Sequence, residues 1–333
     1  MKKLFQQKQT NGLMLHPYFS VWKVIGTALS LAGLTAVVGC APSGHSTANN
    51  TNDSNAQSST EMKHINQKPV PMKLVRNGHN VTIDMTTEET DVQIANGVTY
   101  HAWTFDGTVP GPVLYLQQGD HVTLNLTNLD PTMAHDIDLH ALQAAPNLTG
   151  IAVPPNQTKT IHFDVFTPGV YMYHCAMEPM ILHIGNGMYG AVIVTPPGGS
   201  KPTYTIVQSE FYKNGDYHTM LNGSPDYVVF NGDAFQYQTK PLTAKVGVPV
   251  TIAFVNAGPN NDSSFHIVGS IFDDVEASGN SANNEYHVQS YEVSPGNAAL
   301  FKVTFKEAGT YPFLTHSMRD AEKGAEGVFV VSP

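Results

Sequence analysis

Short segments in which apolar and polar residues alternate run through the chain from Pro69 to its C-terminus. Examples are HVTLNLTNLD, PVTIAFVNAG and GVFVVSP, and turns rich in Gly, Pro, Asn and Asp separate them. A period of two in segments rich in β-branched and aromatic residues is typical of strands, whereas no long segment shows the helical period of about 3.6 residues. Many short strands separated by turns predict an all-β chain folded as β-sandwiches or barrels.

The strand pattern occurs twice along the chain. The segment LYLQQGDHVTLNLTN followed by GVYMYHC is echoed by LTAKVGVPVTIAFVN followed by GTYPFLTHSM. With 333 residues the chain is long enough for two domains of ordinary size. We therefore predict two similar β-sandwich domains, residues 69–199 and 200–333. His316 in the second copy stands where His174 stands in the first, and no cysteine follows it.

The first 40 residues have the features of a bacterial export signal. Four lysines precede the apolar run VIGTALSLAGLTAVVG, which at about 16 residues is short for a membrane span. The run ends at Cys40 in VVGC, which resembles the lipobox of lipoproteins and predicts cleavage before Cys40 with a lipid on its sulfur. An ordinary signal peptide and an uncleaved anchor are the alternatives. We expect an exported protein, held at the outer face of the cytoplasmic membrane by one acyl anchor or located in the periplasm.

Residues 41–68 are rich in Ser, Asn, Thr and Gln and have almost no large apolar side chains. Such a segment cannot bury a core, so we predict a flexible tether. Charged residues make up 13% of the chain, and the formal net charge is -10. This balance argues against nucleic acid or anionic lipid headgroups as partners, so the lipid anchor is the only membrane contact that we expect.

Cys175 is the only cysteine after Cys40. His174 precedes it, His183 follows eight residues later, and Met188 follows five residues after that. A thiolate, an imidazole and a thioether are soft ligands that suit copper in an electron-transfer site, where two histidines, one cysteine and a weak axial methionine are usual. The alternative is a buried cysteine and a core methionine, and a second imidazole has to come from elsewhere.

The histidines of HDIDLH are candidates for the missing ligands. Successive side chains of a strand point to opposite faces, so His174 and Cys175 are expected to face different ways. His135 and His140 are five residues apart, an odd step, and also face opposite ways if the strand stays regular. Two sites follow, and each takes one histidine of this segment. Asp138 is two residues from His140 and belongs on its side.

We therefore predict one site with a cysteine and one made of histidines. The histidine site suits copper or zinc and leaves a coordination position open for a substrate. Its third ligand can come from several histidines, of which His316 and His266 are flanked by apolar strand residues, and spacing does not choose between them. The first site is predicted to contain His135, Cys175, His183 and Met188, and the second to contain His140 and His174.

The segments WTFDGTVPGP, HDIDLHA, YHCA, GNGMYGAVIV, SSFHIVG and THSM occur together in this order. In this combination the chain from Val70 onward resembles the copper-containing nitrite reductases, which are two-domain cupredoxins usually found as trimers. The resemblance implies two tandem cupredoxin-like Greek-key β-sandwich domains in a homotrimer. It implies a type 1 copper at the cysteine site of each chain. It also implies a type 2 copper held by His140, His174 and His316, with His316 supplied by the neighbouring subunit.

A reaction follows from the same resemblance. Nitrite would be reduced to nitric oxide and water with one electron and two protons, and the electron would cross the peptide bond between Cys175 and His174. Asp138 and His266 match the acid–base pair of the family, and Val268 matches the aliphatic residue that shapes the substrate pocket. The implied electron donor is a small redox protein, a cytochrome c or a cupredoxin.

Two other functions are alternatives. A laccase-like multicopper oxidase normally uses His-x-His pairs, but the sequence contains none, and Ala176 follows Cys175 where such a pair would need a histidine. A blue-copper electron-transfer protein needs only the cysteine site, and the second histidine set with Asp138 argues against it. We therefore expect an NO-forming copper nitrite reductase.

Overall fold

The structure is a computed structural model that describes residues 69–145 and 150–333. The predicted export signal, Cys40 and the tether at 41–68 lie outside the described residues. In the described part of the chain strands dominate and helices are short, which confirms the all-β prediction. No helix among these residues is both long and apolar enough to span a membrane.

The N-terminal half contains strands whose burial follows the predicted alternation. In the strand His121–Asn128, the apolar side chains at 122, 124 and 126 are buried, while Thr123, Asn125 and Thr127 between them are partly exposed. One face of the strand therefore lies in a core and the other points toward solvent. The strands of this half are β1 Leu74–Asn77, β2 Asn80–Ala95, β3 Val98–Phe105, β4 Leu114–Gln117, β5 His121–Asn128, β6 Asp138–Leu139, β7 Thr158–Asp164, β8 Gly169–His174 and β9 Tyr189–Thr195.

These strands form two sheets. One has the order β1-β2-β5-β7, with β3 paired to β2, and the other has the order β4-β9-β8-β6. Side chains of both sheets meet in one buried cluster, which includes Ile83 and Leu124 from the first sheet and Tyr173 and Val192 from the second. Cys175 belongs to this cluster, so the candidate thiolate lies in the core of a β-sandwich.

The C-terminal half repeats this architecture. Its strands are β10 Tyr204–Phe211, β11 Tyr227–Phe230, β12 Lys240–Lys245, β13 Val250–Gly258, β14 Ser263–Ile267, β15 Asp274–Ala277, β16 Asn284–Tyr286, β17 Ser290–Val293, β18 Ala298–Val303, β19 Gly309–Thr315 and β20 Glu326–Ser332. They form sheets of the orders β11-β10-β13-β18-β15-β16 and β12-β20-β19-β14-β17. The core between the sheets contains many aromatic side chains, and the rings of Phe254 and Phe265 have centroids 4.8 Å apart.

A third buried cluster joins the two halves. It includes Val170 and Ala191 from β8 and β9, and Val207 and Val255 from β10 and β13. Each of these strands therefore contributes to packing between the halves as well as within one. Among the described residues, all strand pairing stays within one half. The tandem cupredoxin-like fold is confirmed, while the ranges 69–199 and 200–333 stay a prediction.

Short helices lie in the loops. Pro179 stands at the start of the first helix, where its missing N–H costs nothing, and Asn186 ends the helix with its N–H bonded to the carbonyl of Leu182. This helix contains His183 and connects Cys175 to β9. The α-helices of the described residues are α1 Met180–Gly185, α2 Tyr217–Leu221, α3 Gln236–Thr239 and α4 Met318–Ala321, and one turn of 3-10 helix spans Lys213–Gly215.

Candidate metal centres

The structure brings the residues of the predicted cysteine site together in the core. The Sγ of Cys175 lies 3.3 Å from Nδ1 of His183 and 3.9 Å from Nδ1 of His135. The ligand atoms of these three residues all lie within 4.8 Å of one another. Met188 is fully buried in the same core cluster as Cys175. The geometry therefore brings three of the four predicted donor atoms close enough to bind one ion. Their role as copper ligands stays a prediction.

Backbone hydrogen bonds fold the loop after β8 onto itself. The N–H of Cys175, directly after β8, donates to the carbonyl of Met188 at 3.1 Å. The N–H of Met188 in turn donates to the carbonyl of His183 at 3.0 Å. The chain therefore turns back through α1, and His183 and Met188 are held beside Cys175.

A buried carboxylate orients His135. Nε2 of His135 lies 3.0 Å from Oδ2 of Asp130, and both side chains are almost completely buried. Burial opposes ionisation of Asp130, but N–H groups of Thr132 and Met133 and the imidazole of His135 lower its pKa overall. The carboxylate therefore accepts from Nε2–H and leaves the Nδ1 lone pair of His135 facing Cys175. A metal-binding histidine commonly has such a partner.

The surroundings of the sulfur suit a metal ion better than a free thiolate. Burial raises the pKa of Cys175 to about 12, although the N–H of Asp136, 3.5 Å from Sγ, favours the thiolate. Burial and the neighbouring His135 lower the pKa of His183 to about 4, so its imidazole is neutral and free to coordinate. A thiol that needs a metal to ionise, beside two imidazoles and a thioether, fits copper.

The second candidate site lies on the other side of the same peptide. Nε2 of His140 lies 3.0 Å from Nε2 of His174, and Oδ2 of Asp138 lies 4.0 Å and 3.7 Å from these two nitrogens. His174 is nearly buried, whereas the side chains of His140 and Asp138 are 33% and 50% exposed. The site is therefore accessible to a small ion, unlike the cysteine site.

Backbone carbonyls orient both imidazoles. Nδ1 of His140 donates to the carbonyl of Gly296 at 3.0 Å, and Nδ1 of His174 donates to the carbonyl of Cys175 at 3.0 Å. Burial and the nearby His174 lower the pKa of His140, which favours its neutral form. The Nε2 atoms of the two imidazoles converge at 3.0 Å on the side away from these carbonyls. Two imidazole nitrogens that converge in this way can bind one metal ion.

The segment HDIDLH is not the regular strand on which the alternation argument depended. Only Asp138 and Leu139 form a strand, β6, in which Asp138 pairs with His174 of β8. His135 instead forms an isolated bridge with Val153. The two ends of the segment therefore have different backbone neighbours, and this difference, rather than simple alternation, separates His135 from His140.

The remaining predicted site residues lie elsewhere on the chain. His316 directly follows β19 and is exposed, and its ring centroid is 5.7 Å from that of His266 on β14. Val268 follows β14 and is 44% exposed. Within the described residues, Asp138 is the only further metal-binding side chain grouped with His140 and His174. A single chain therefore does not bring His316 to the histidine pair.

Sequence reasoning missed the groups that orient the candidate ligands. Asp130 precedes Pro131 in a turn five residues before His135, and an Asp–Pro turn signal beside a candidate ligand is the feature that points to it. Gly296 is 156 residues from His140 and contributes only its backbone carbonyl. No side-chain pattern reveals such a contact, because every residue carries the same carbonyl group.

The fold and the buried His–Cys–His group define a copper protein of the cupredoxin class. Family models described as multicopper oxidase match residues 86–199 and 210–333. A copper-containing nitrite reductase of Neisseria meningitidis serogroup A is 37% identical over 268 residues, which cover 74% of this chain and 68% of that protein. One from Pseudomonas chlororaphis is 32% identical over 280 residues, or 74% of this chain and 77% of that protein.

A solved structure is also similar. The copper nitrite reductase from Nitrosomonas europaea is 40% identical, with a TM-score of 0.73 over 76% of this chain and 94% of its own. The chain belongs to the copper-containing nitrite reductases. Copper is accordingly its cofactor, and the predicted family and cofactor are confirmed.

Proposed function

We propose that the protein reduces nitrite to nitric oxide and water, with one electron and two protons per nitrite. The observation that carries the proposal is the pair of ligand groups joined by a single peptide bond between His174 and Cys175. One group is closed to solvent and the other is open to it, so an electron carrier and a substrate site lie side by side. The relatives described above are named as nitrite reductases, which supports the same reaction.

The cysteine group is suited to hold the type 1 copper and the histidine group the type 2 copper. Copper held there supplies one-electron redox chemistry in the first site and Lewis acidity in the second. Burial of Cys175 and its neighbours keeps water and substrate away from the first site. Exposure of His140 and Asp138 leaves room for an anion at the second site.

Asp138 is the proposed proton donor closest to the histidine pair. Its carboxyl lies within 4.0 Å of the Nε2 atoms of both His140 and His174, so it can hydrogen-bond an anion that binds beside them. His266 is the proposed second acid–base group. Its Nδ1 donates to the carbonyl of Gln289 at 2.6 Å, so Nε2 remains available to exchange a proton. Val268 is proposed to shape the pocket.

Each active site is proposed to combine two chains of a homotrimer. His316 and His266 lie near each other, at a ring-centroid distance of 5.7 Å, but His316 is not grouped with His140 and His174 of the same chain. A neighbouring chain that presents its His316 would complete a three-histidine ligand set. It would bring its His266 and Val268 to the same pocket.

The proposed cellular context comes from the N-terminal sequence. We propose export, a lipid on Cys40 and a location at the outer face of the cytoplasmic membrane or in the periplasm. The electron donor is proposed to be a small redox protein, a cytochrome c or a cupredoxin, because a buried one-electron site suits a protein donor. The apolar run that ends in VVGC supports the lipid anchor.

Anaerobic turnover of nitrite with a reduced dye, followed with a nitric oxide electrode and a copper assay, tests the function. We expect nitric oxide release from protein that holds both coppers in each chain. A protein that takes up only the cysteine-site copper and leaves nitrite unchanged would instead be an electron carrier, and the proposal would be wrong.

A mixing experiment tests the shared site. His140→Ala and His316→Ala chains are each expected to be inactive, and unfolding and refolding them together should restore part of the activity. An intact site forms where a His316→Ala chain, which retains His140, lies next to a His140→Ala chain that supplies its His316. Mixed chains that stay inactive although both variants fold and assemble would contradict the shared site.

A further inference from the structure

A buried carboxylate outside both ligand groups holds a loop of the second half in place. Glu210 lies near the end of β10 and is 1% exposed. Its Oε1 accepts from the backbone N–H groups of Asn260 at 2.9 Å and Asn261 at 2.6 Å, and its Oε2 accepts from the hydroxyl of Tyr212. A carboxylate with three donors fixes the backbone of this loop, which runs from β13 to β14.

One side of the loop reaches the helix that carries His183. The side-chain amide of Asn260 donates to the carbonyl of Met220 on α2 at 2.9 Å. The thioether of Met220 packs against Gly185, the last residue of α1, so closely that a Cβ there would lie 2.6 Å from the sulfur. Displacement of the loop would therefore be transmitted through Met220 to α1 and to His183.

The other side of the loop reaches the segment that carries His316. The side-chain amide of Asn261 lies 3.4 Å from Oδ1 of Asp320, which is fully buried. Asp320 also accepts from the hydroxyl of Ser317 at 2.8 Å and from the guanidinium of Arg319 at 3.0 Å. Ser317 directly follows His316, so the same loop holds the backbone beside this histidine.

We propose that Glu210 is a positioning residue that couples the geometry of His183 to that of His316 through the loop at 259–261. The inference rests on the proposed function, in which both histidines bind copper. Because His316 is proposed to serve the neighbouring subunit, the network would connect the electron-accepting site of one chain to the catalytic site of the next. A buried acid with a merely structural role would affect stability alone.

Glu210→Ala, compared with Glu210→Gln, tests the coupling in the copper-loaded, full-length protein. The alanine removes the acceptor for the loop, so we expect changes in the type 1 visible band and in the copper hyperfine splitting of both paramagnetic resonance signals. Copper retention at the histidine site should fall about tenfold, the lower end of the range for groups that orient metal ligands. Glu210→Gln should restore both signals, because its amide oxygen still accepts from Asn260 and Asn261.

Asp120→Ala is the matched control. Asp120 is also a fully buried carboxylate, but its partners are Arg76, His79 and the N–H of Gln117, none of which belongs to either candidate site. This variant should melt at a lower temperature and keep both copper signals. If Glu210→Ala behaves in the same way, or alters only one signal, Glu210 does not couple the sites.

Two further outcomes keep the test decisive. If Glu210→Ala does not fold, Asn261→Ala replaces it, because this variant removes only the amide beside Asp320. Asn261→Ala should change the type 2 signal and leave the type 1 band unchanged. An unchanged type 2 signal would refute the proposal. Because these readouts are spectroscopic, they do not depend on nitrite turnover. A wild-type protein with both copper signals and no turnover would overturn the proposed function and leave this test intact.

Discussion

Asp130→Asn tests how the cysteine site is built. The asparagine oxygen can replace the Asp130 oxygen that accepts from the N–H groups of Thr132 at 2.7 Å and Met133 at 3.1 Å. Its NH2 group then takes the place of the oxygen that lies 3.0 Å from Nε2 of His135. Because an NH2 group cannot accept from Nε2–H, the imidazole has to carry its proton on Nδ1, the nitrogen that faces Cys175.

The expected size of the effect follows from the lost hydrogen bond. A hydrogen bond to a charged group contributes about 1.5–3 kcal/mol, and about 1.4 kcal/mol corresponds to a tenfold change in affinity. The copper affinity of the cysteine site should therefore fall by roughly 10- to 100-fold, which agrees with the range for groups that orient metal ligands. The histidine site should keep its affinity, because Asp130 does not contact it.

Competition with a copper chelator, followed by the visible thiolate-to-copper band, measures this affinity. Asp164→Asn is the control, because Asp164 forms a comparable pair with His121 at 2.6 Å on the exposed surface. The control should leave the band and the affinity unchanged. Wild-type affinity in Asp130→Asn, with the protein folded, would refute the argument that the carboxylate selects the metal-binding tautomer of His135.

Three other predictions address single residues. Copper uptake at neutral pH should release one proton from Cys175, since burial holds its thiol pKa at about 12 and a bound metal deprotonates it. Calorimetry in buffers of different protonation enthalpy measures the number of protons released. Cys175→Ala should lose both the proton release and the colour. His266→Ala should keep both coppers but slow turnover and change its pH profile, and unchanged kinetics would exclude it from proton transfer. Cys40→Ala should abolish incorporation of a labelled fatty acid into the protein, and unchanged incorporation would contradict a lipid on this cysteine.

The strands could be predicted because burial on one face imposes a period of two on the sequence. In β5 this period is visible from His121 to Asn128, and His174 at the end of β8 and Cys175 directly after it belong to different ligand groups, as the alternation predicted. The repeat likewise predicted two similar halves, because each half needs its own core. The prediction was weakest at HDIDLH, where the strand is only two residues long and the backbone changes partner.

The buried acids near the candidate ligands could not be predicted in the same way. Asp130 accepts from backbone N–H groups of Thr132 and Met133, and Glu210 accepts from those of Asn260 and Asn261. Asp130 lies in a turn, and Glu210 lies in β10, whose residues from Thr205 to Phe211 are all buried. No period of two therefore marks either acid, and polarity alone would place both at the surface. The proposed role of His316 requires a further chain, and the sequence of one chain contains no pattern for the distance to a neighbour.

The adjacency of His174 and Cys175 resolves a conflict between two chemical requirements. The proposed electron-transfer site benefits from exclusion of water, and Cys175 lies in a core with no exposed surface. The proposed nitrite site has to admit an ion and protons, and Asp138 beside His174 is half exposed. No single pocket can be both closed and open. At the end of β8, His174 points to the exposed group and Cys175 points to the buried one, so one peptide bond separates the two ligand groups.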